Sequence, residues 1–166
     1  MGRFWAGFGV GIGLLGIALG IFLWLVGPFQ PPKLPEAKIT AIHFNNSEIT
    51  DLQPSIEAPR VITVVGESID VPNDWSVWAC VFPIDVQRYY PQYEPVSNDG
   101  SWQRADICLG MENTVDIGKI FIINLVVANA DATKQLNRYA QDVLTGMEEL
   151  PSGAVICDQI VVIRSE

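Results

Sequence analysis

The decapeptide WSVWACVFPI (75–84) carries no charge and mixes aromatic with β-branched side chains. Such residues suit a pleated, buried surface, and a run this short, preceded by the turn signal Pro72-Asn73-Asp74, reads as a strand. Outward from it the same signature recurs in RVITVVGES (60–68), SWQRADICL (101–109), KIFIINLVVA (119–128), AVICDQIVVI (154–163) and KITAIHF (38–44). Asn98-Asp99-Gly100 and Pro151-Ser152-Gly153 punctuate the series. Strands joined mostly by turns, without helical crossovers, pack as an antiparallel β-sandwich, here of about seven strands. Successive strand side chains face opposite sides, so Trp102 is expected inward and Gln103 outward.

One segment breaks the pattern. In NADATKQLNRYAQDVLTG (129–146), Ala132, Leu136, Tyr139, Ala140, Val143 and Leu144 recur at three- and four-residue steps, and Gly146 follows as a stop. This predicts one amphipathic helix before the last strand. Its polar face, Lys134, Gln135, Asn137, Arg138 and Asp142, is a solvated surface.

The amino-terminal part has a different character. From Phe4 to Gly27 there is no charged side chain, and about 20 such residues cross a bilayer as a helix. A cleaved signal peptide has an apolar core of only about 7–15 residues and an A-x-A-like site, and neither fits this run. Trp5 and Trp24 stand nineteen residues apart, a spacing that puts both indoles at headgroup level. Residues 1–28 are therefore expected to be a transmembrane anchor, 29–37 a Pro-rich stalk and 38–166 the β-domain. At about 100° per residue, Gly9, Gly13, Gly16, Gly20 and Gly27 fall in a narrow arc of that helix. A glycine seam of this kind lets a second helix, from the same chain or from another membrane protein, approach closely. Arg3 on one side and Lys33 and Lys38 on the other barely discriminate orientation. The signal-like start favours an extracytoplasmic domain.

Residues 31–166 hold nine Lys and Arg, all ten but Arg3, against nineteen Asp and Glu, a balance of −10. Phosphate backbones and anionic lipid repel such a surface, so nucleic-acid binding is not expected. Cys80, Cys108 and Cys157 are at least 28 residues apart and His43 is the only histidine, so no zinc pattern exists. Outside the cell three thiols allow one bridge, of a pair the spacing does not choose; otherwise they are small buried hydrophobes. His43, between Ile42 and Phe44, reads as a core or edge histidine. No nucleophile elbow, phosphate loop or EF-hand spacing appears, so neither an enzyme nor a cofactor is expected.

Binding residues are sought in RYYPQYEP (88–95), which holds three of the four tyrosines. Pro91 and Pro95 lack amide hydrogens and suit a sheet edge. Tyr89, Tyr90 and Tyr93 either lie over the core with wet hydroxyls or form a rim that stacks on a sugar or peptide. Calcium between Asp70, Asp74, Glu94 and Asp99 is a looser alternative without a dense motif.

The run from WSVWACVFPIDVQRYYPQYEPVSNDGSW through GKIFIINLVVANADATKQLNRYAQ to LPSGAVICDQIVVIR resembles an uncharacterised bacterial group of membrane-anchored Ig-like or fibronectin-III-like β-sandwich domains. The resemblance covers residues 60–164, with Tyr89, Tyr90, Pro91, Gln92, Gly100 and Trp102 as landmarks. It implies a domain appended to membrane or effector proteins and supplies no catalytic residue. The expected function is a membrane-tethered, non-enzymatic module acting through protein contacts. The alternative is an extracytoplasmic carbohydrate- or calcium-dependent binding module using the tyrosine rim.

Overall fold

The computed structural model describes residues 35–52, 54–92, 95, 100–112, 114–142 and 145–166, and in them every run expected to be a strand is one. The described elements are β1 (Glu36–Phe44), β2 (Ser47–Ile49), β3 (Ile56–Ala58), β4 (Val61–Ile69), β5 (Ser76–Pro83), β6 (Tyr90–Pro91), β7 (Ser101–Cys108), β8 (Ile120–Ala128), α1 (Ala130–Ala140) and β9 (Ala154–Arg164). A 3₁₀ turn occupies Thr114–Asp116. The chain is thus mainly β, with two sheets and one α-helix among the described residues. The first sheet has the order β2-β1-β4-β7 and the second β3-β9-β8-β5-β6.

Two expectations need correction. The strands number more than about seven, because β2, β3 and β6 are two or three residues long and carry no periodic signal. The sandwich is also not wholly antiparallel, since β3 runs parallel to β9, with Ile56 opposite Val162. The cause is the route from β2 to β4, which leaves the first sheet, follows the edge of the second and returns. In addition, Glu36 and Ala37, assigned to the stalk, already pair with Ile69 and Ser68 as the start of β1. The anchor, the glycine seam and Tyr93 lie outside the described residues. Among the described residues no helix is long and apolar enough to cross a membrane.

Alternation builds the core. Ile39, Ile42, Ile62, Val64, Trp102 and Ile107 of the first sheet meet Val77, Ala79, Val81, Phe121, Ile123, Leu125, Ile160 and Val162 of the second. The opposite face of β5 and β8 is buried too. There Trp78, Cys80, Val126 and Ala128 lie under Ala132, Leu136 and Ala140 of α1, with Met147 beside them. The stretch 75–84 is uniformly apolar because it is covered on both sides.

Side chains close the two flanks of the sandwich. On one, the Gln92 main chain donates to Ala79 O, and its Oε1 accepts from Cys108 N at 3.2 Å, joining β6 to β7. On the other, Ile39 N, beside the register shift in β1, donates to the Asp158 carboxylate of β9 at 2.8 Å. The helix starts on Asn129, whose side chain accepts from Ala132 N at 2.9 Å. It ends at Ala140 with Gln141 as cap, before Gly146. Gly146, at φ 56, lies beneath the Tyr90 ring and is not the helix stop. Val143 and Leu144 are outside the described residues.

Trp102 is 4% exposed, while Gln103 is exposed as expected. Its ring lies across Gly66, its cross-strand partner on β4, where an added Cβ would meet both the indole and Lys38 O. Glycine in the middle of this strand marks that close approach. Trp102→Ala is expected to destabilise by about 3–5 kcal/mol, as for a large aromatic lost from a core, and Gly66→Ala by about 1–3 kcal/mol through overpacking. Urea unfolding followed by circular dichroism measures both. Losses below about 1 kcal/mol, the range of surface substitutions, would show that the indole is not a core element.

Candidate interaction surface

Register decides what the outer face of the second sheet presents, because residues paired across strands point the same way. Trp78, Val126 and Ile156 form one row, and Cys80, Asn124 and Gln159 the next. Phe82, Ile122 and Val161 follow. In the last row Ile120 faces Ile163, Glu57 of β3 stands opposite Ile163, and Ile84 donates its N–H to Ile120 O at 3.1 Å.

The helix covers only part of this face. It lies over β6, β5 and the end of β8, and among the described residues no layer covers the β9 side. Ile84 is 43% exposed, Ile120 40% and Ile156 39%. Ile122, Val161 and Ile163 are half-buried. The result is an aliphatic cluster of Ile84, Ile120, Ile122, Val161 and Ile163, with Ile156 set apart beyond the Asn124–Gln159 row, built of β-branched side chains whose rotamers are few. Strand β8 is paired along both sides and β9 is paired with β3 over Val162–Arg164, so the face between them offers side chains.

The far end of this surface is fixed by a buried cation. Arg164, the last residue of β9, is 3% exposed. Its guanidinium donates to Met111 O at 2.7 Å, to Leu109 O at 3.3 Å and to Glu166 O at 2.7 Å, and lies 3.8 Å from Asp116. Asp116 accepts from Met111 N at 2.8 Å and pairs with Lys119 at 2.9 Å, and Lys119 reaches Asp85 at 2.9 Å. The hydrogen bond from the Lys119 ammonium holds the Asp116 carboxyl below the ordinary carboxylate range, with the Met111 N–H adding to it and burial opposing. The 109–119 connection, the β5–β6 turn and the end of β9 are thereby one unit under Ile84, Ile120 and Ile163.

The residues singled out from the sequence fall elsewhere. Tyr89 and Tyr90 are half-buried and spend their rings on internal contacts. Tyr89 packs on Phe82 with centroids 4.8 Å apart, and exchanges main-chain hydrogen bonds of 2.8 Å with Met147. Tyr90 lies on Gly146. Arg88 of the same stretch donates to Thr145 O at 2.8 Å and to Glu148 at 2.7 Å. The cluster thus pins the 145–148 segment to the sheet edge. His43 sits in the β1–β2 hairpin, 3.4 Å from its cross-strand neighbour Glu48. Of the four calcium candidates, Asp70 and Asp74 occupy turns and Glu94 and Asp99 are outside the described residues. Among the described residues no three His, Cys, Asp or Glu side chains gather at metal-binding distance. The three thiols are unbridged. Burial pushes the Cys80 thiol up to about 12 and raises that of Cys157, so neither is an activated nucleophile.

Sequence reasoning missed Ile84, Ile120, Ile122, Ile156, Val161 and Ile163 as a group. A signal existed: KIFIINLVVA and AVICDQIVVI are apolar at positions of both parities, which calls for cover on both faces. The single predicted helix is too narrow to cover the whole sheet.

No protein-family model, curated protein or solved structure matches the chain.

Arg164→Ala is expected to destabilise by about 2–5 kcal/mol, because it leaves the Leu109 and Met111 carbonyls without their donor in a covered site. The depressed Asp116 carboxyl stabilises the fold fully above its unfolded value near about 4, and that contribution disappears as pH falls through the lower folded value. Asp116→Asn should therefore remove part of the acid-side loss of stability, as read from urea midpoints between pH values above and below 4. Identical pH profiles for variant and parent would show that the carboxylate is not coupled to folding.

Proposed function

We propose that the chain is a membrane-tethered, non-enzymatic interaction module that works through protein contacts. In this reading residues 1–28 anchor it, the Ig-like sandwich stands outside the cytoplasm, and the outer face of β8 and β9 meets another protein. One observation carries it: among the described residues nothing covers six aliphatic side chains of the second sheet, three of them more than a third exposed. Five of them, Ile84, Ile120, Ile122, Val161 and Ile163, are neighbours in adjoining rows, and clustered exposed apolar side chains of this kind mark interaction sites. The resemblance to membrane-anchored Ig-like domains supports the same reading. The sugar- or calcium-binding alternative has less support, since Tyr89 and Tyr90 are engaged inside the fold.

A photo-crosslinking amino acid placed at Ile120 or Val161 of the full chain, in its native membranes, should give discrete protein adducts. The same probe at Gln103, on the other sheet, or at Gln135, on the polar face of α1, should give few. Adducts equally abundant from all four sites would defeat the reading. The glycine seam belongs to the same proposal as a lateral contact with a membrane protein or a second copy. Gly13→Leu combined with Gly16→Leu should abolish crosslinking in detergent or co-purification of the partner, whereas Leu15→Ala should preserve them. Unchanged association in both assays would leave the amino-terminal segment as a tether only.

A further inference from the structure

The bare half of the second sheet has a definite shape and charge, and both restrict what lies on it. We infer that it receives an amphipathic helix with basic flanks from a partner protein, lying beside α1 and completing the outer layer; this rests on the interaction-module reading.

Geometry favours a helix. Neighbouring strands are about 4.8 Å apart, so the β8–β9 surface is about 10 Å wide with its side chains, and packed helices lie about 8–10 Å from their neighbours. One helix fits. An added strand does not lie on this face, because a strand joins through main-chain groups at a sheet edge; β8 is paired on both sides, and the part of β9 beyond its pairing with β3 at Val162–Arg164 is at the flank. The rows Phe82, Ile122, Val161 and Ile84, Ile120, Ile163 offer aliphatic contact without donors or acceptors, which suits a helix face with apolar residues at i, i+3, i+4 and i+7.

Charge selects the flanks. Glu57 is exposed on the β3 side, next to Ile163, and at the other end, beside Ile84, Asp85 is paired with Lys119. The nearby cation Lys119 is engaged by Asp85 and Asp116. With −10 over residues 31–166, a second copy would bring like charge to like charge. Anionic lipid would be repelled in the same way. Lysines or arginines flanking an apolar helical stripe complement Glu57 and the net negative charge of the domain.

The test uses two synthetic peptides of about five helical turns, ~18 residues, with the same leucine stripe and either lysine or glutamate flanks. Binding is read by fluorescence anisotropy against the full chain in zwitterionic-lipid nanodiscs, with empty discs subtracted. The lysine peptide is expected to bind about tenfold or more tightly than the glutamate peptide. Ile120→Asp and Val161→Asp, each checked for an unchanged circular dichroism spectrum, should lose that binding, and Glu57→Lys should narrow the preference between the peptides. Equal binding of both peptides, or binding indifferent to Ile120→Asp and Val161→Asp, overturns the inference. So does a dimer in light scattering that Ile120→Asp dissociates, which would make a second copy the occupant. Failure of the peptides alongside adducts confined to Ile120 and Val161 would reject the basic helix and leave the interaction module standing. Failure of both rejects the module itself.

Discussion

The guanidinium of Arg164 is the point on which the rest of the second sheet depends. A cation that is 3% exposed survives folding only if its donors are met, and here they are met by two carbonyls of the β7–β8 connection, the Glu166 carbonyl and Asp116. β9 can therefore end in one place. Its register against β8 follows, with Ile163 opposite Ile120 and Val161 opposite Ile122. A slip of β9 by one residue would turn Ile163 and Val161 into the core and expose Ile160 and Val162. The buried ion pair is thus a device for specifying register, and the aliphatic face is what that register displays.

That face coexists with an unusually complete burial elsewhere. The strand β5 is covered on one side by the first sheet and on the other by α1, and only Phe82 and Ser76 among its residues are half-buried. The helix has eleven residues and begins at an Asn129 cap tied to the turn before β9 by the Asn129 N–H to Gly153 O bond. At about 1.5 Å per residue it spans roughly 16 Å, enough to cover Trp78, Cys80, Val126 and Ala128 but only one flank of the sheet. The exposed isoleucines are a consequence of where the helix is capped. Net negative charge keeps such a surface from associating with its own kind.

Most of the fold was legible in the amino-acid sequence, for a physical reason: long strands that pack on a core must alternate or be wholly apolar, and all six such runs became strands. Trp102 and Gln103 faced as alternation required. The short strands were illegible because two or three residues carry no period. The parallel β3–β9 pair was hidden in a connection whose route only tertiary contacts define. The tyrosine cluster drew attention through composition, yet its rings serve the 145–148 segment, whose residues are distant in sequence. The aliphatic face was readable only in part. Double-sided apolarity in 119–128 and 154–163 was visible, but which side the helix covers depends on its cap and on the Tyr89–Met147 bridge. The amino-terminal reading lies outside the described residues and rests on hydropathy alone.

The energetics of the proposed surface explain why a tether belongs with it. Fully burying an isoleucine is worth about 1.5–3 kcal/mol, and Ile84, Ile120 and Ile156 are only partly exposed before any partner arrives. Their combined gain is then a few kcal/mol, comparable with or smaller than the roughly 4–15 kcal/mol that association costs in lost translation and rotation. An untethered domain would hold a partner weakly through this face alone. Anchoring both proteins in one membrane replaces a bimolecular encounter by one at high effective concentration, of the order of millimolar for short linkers, and removes part of that cost. A helix–helix contact at the glycine seam would remove more. On this view the modest size of the face is matched to the anchor: a free helix binds it weakly, and a partner held in the same membrane gains the effective concentration that raises occupancy.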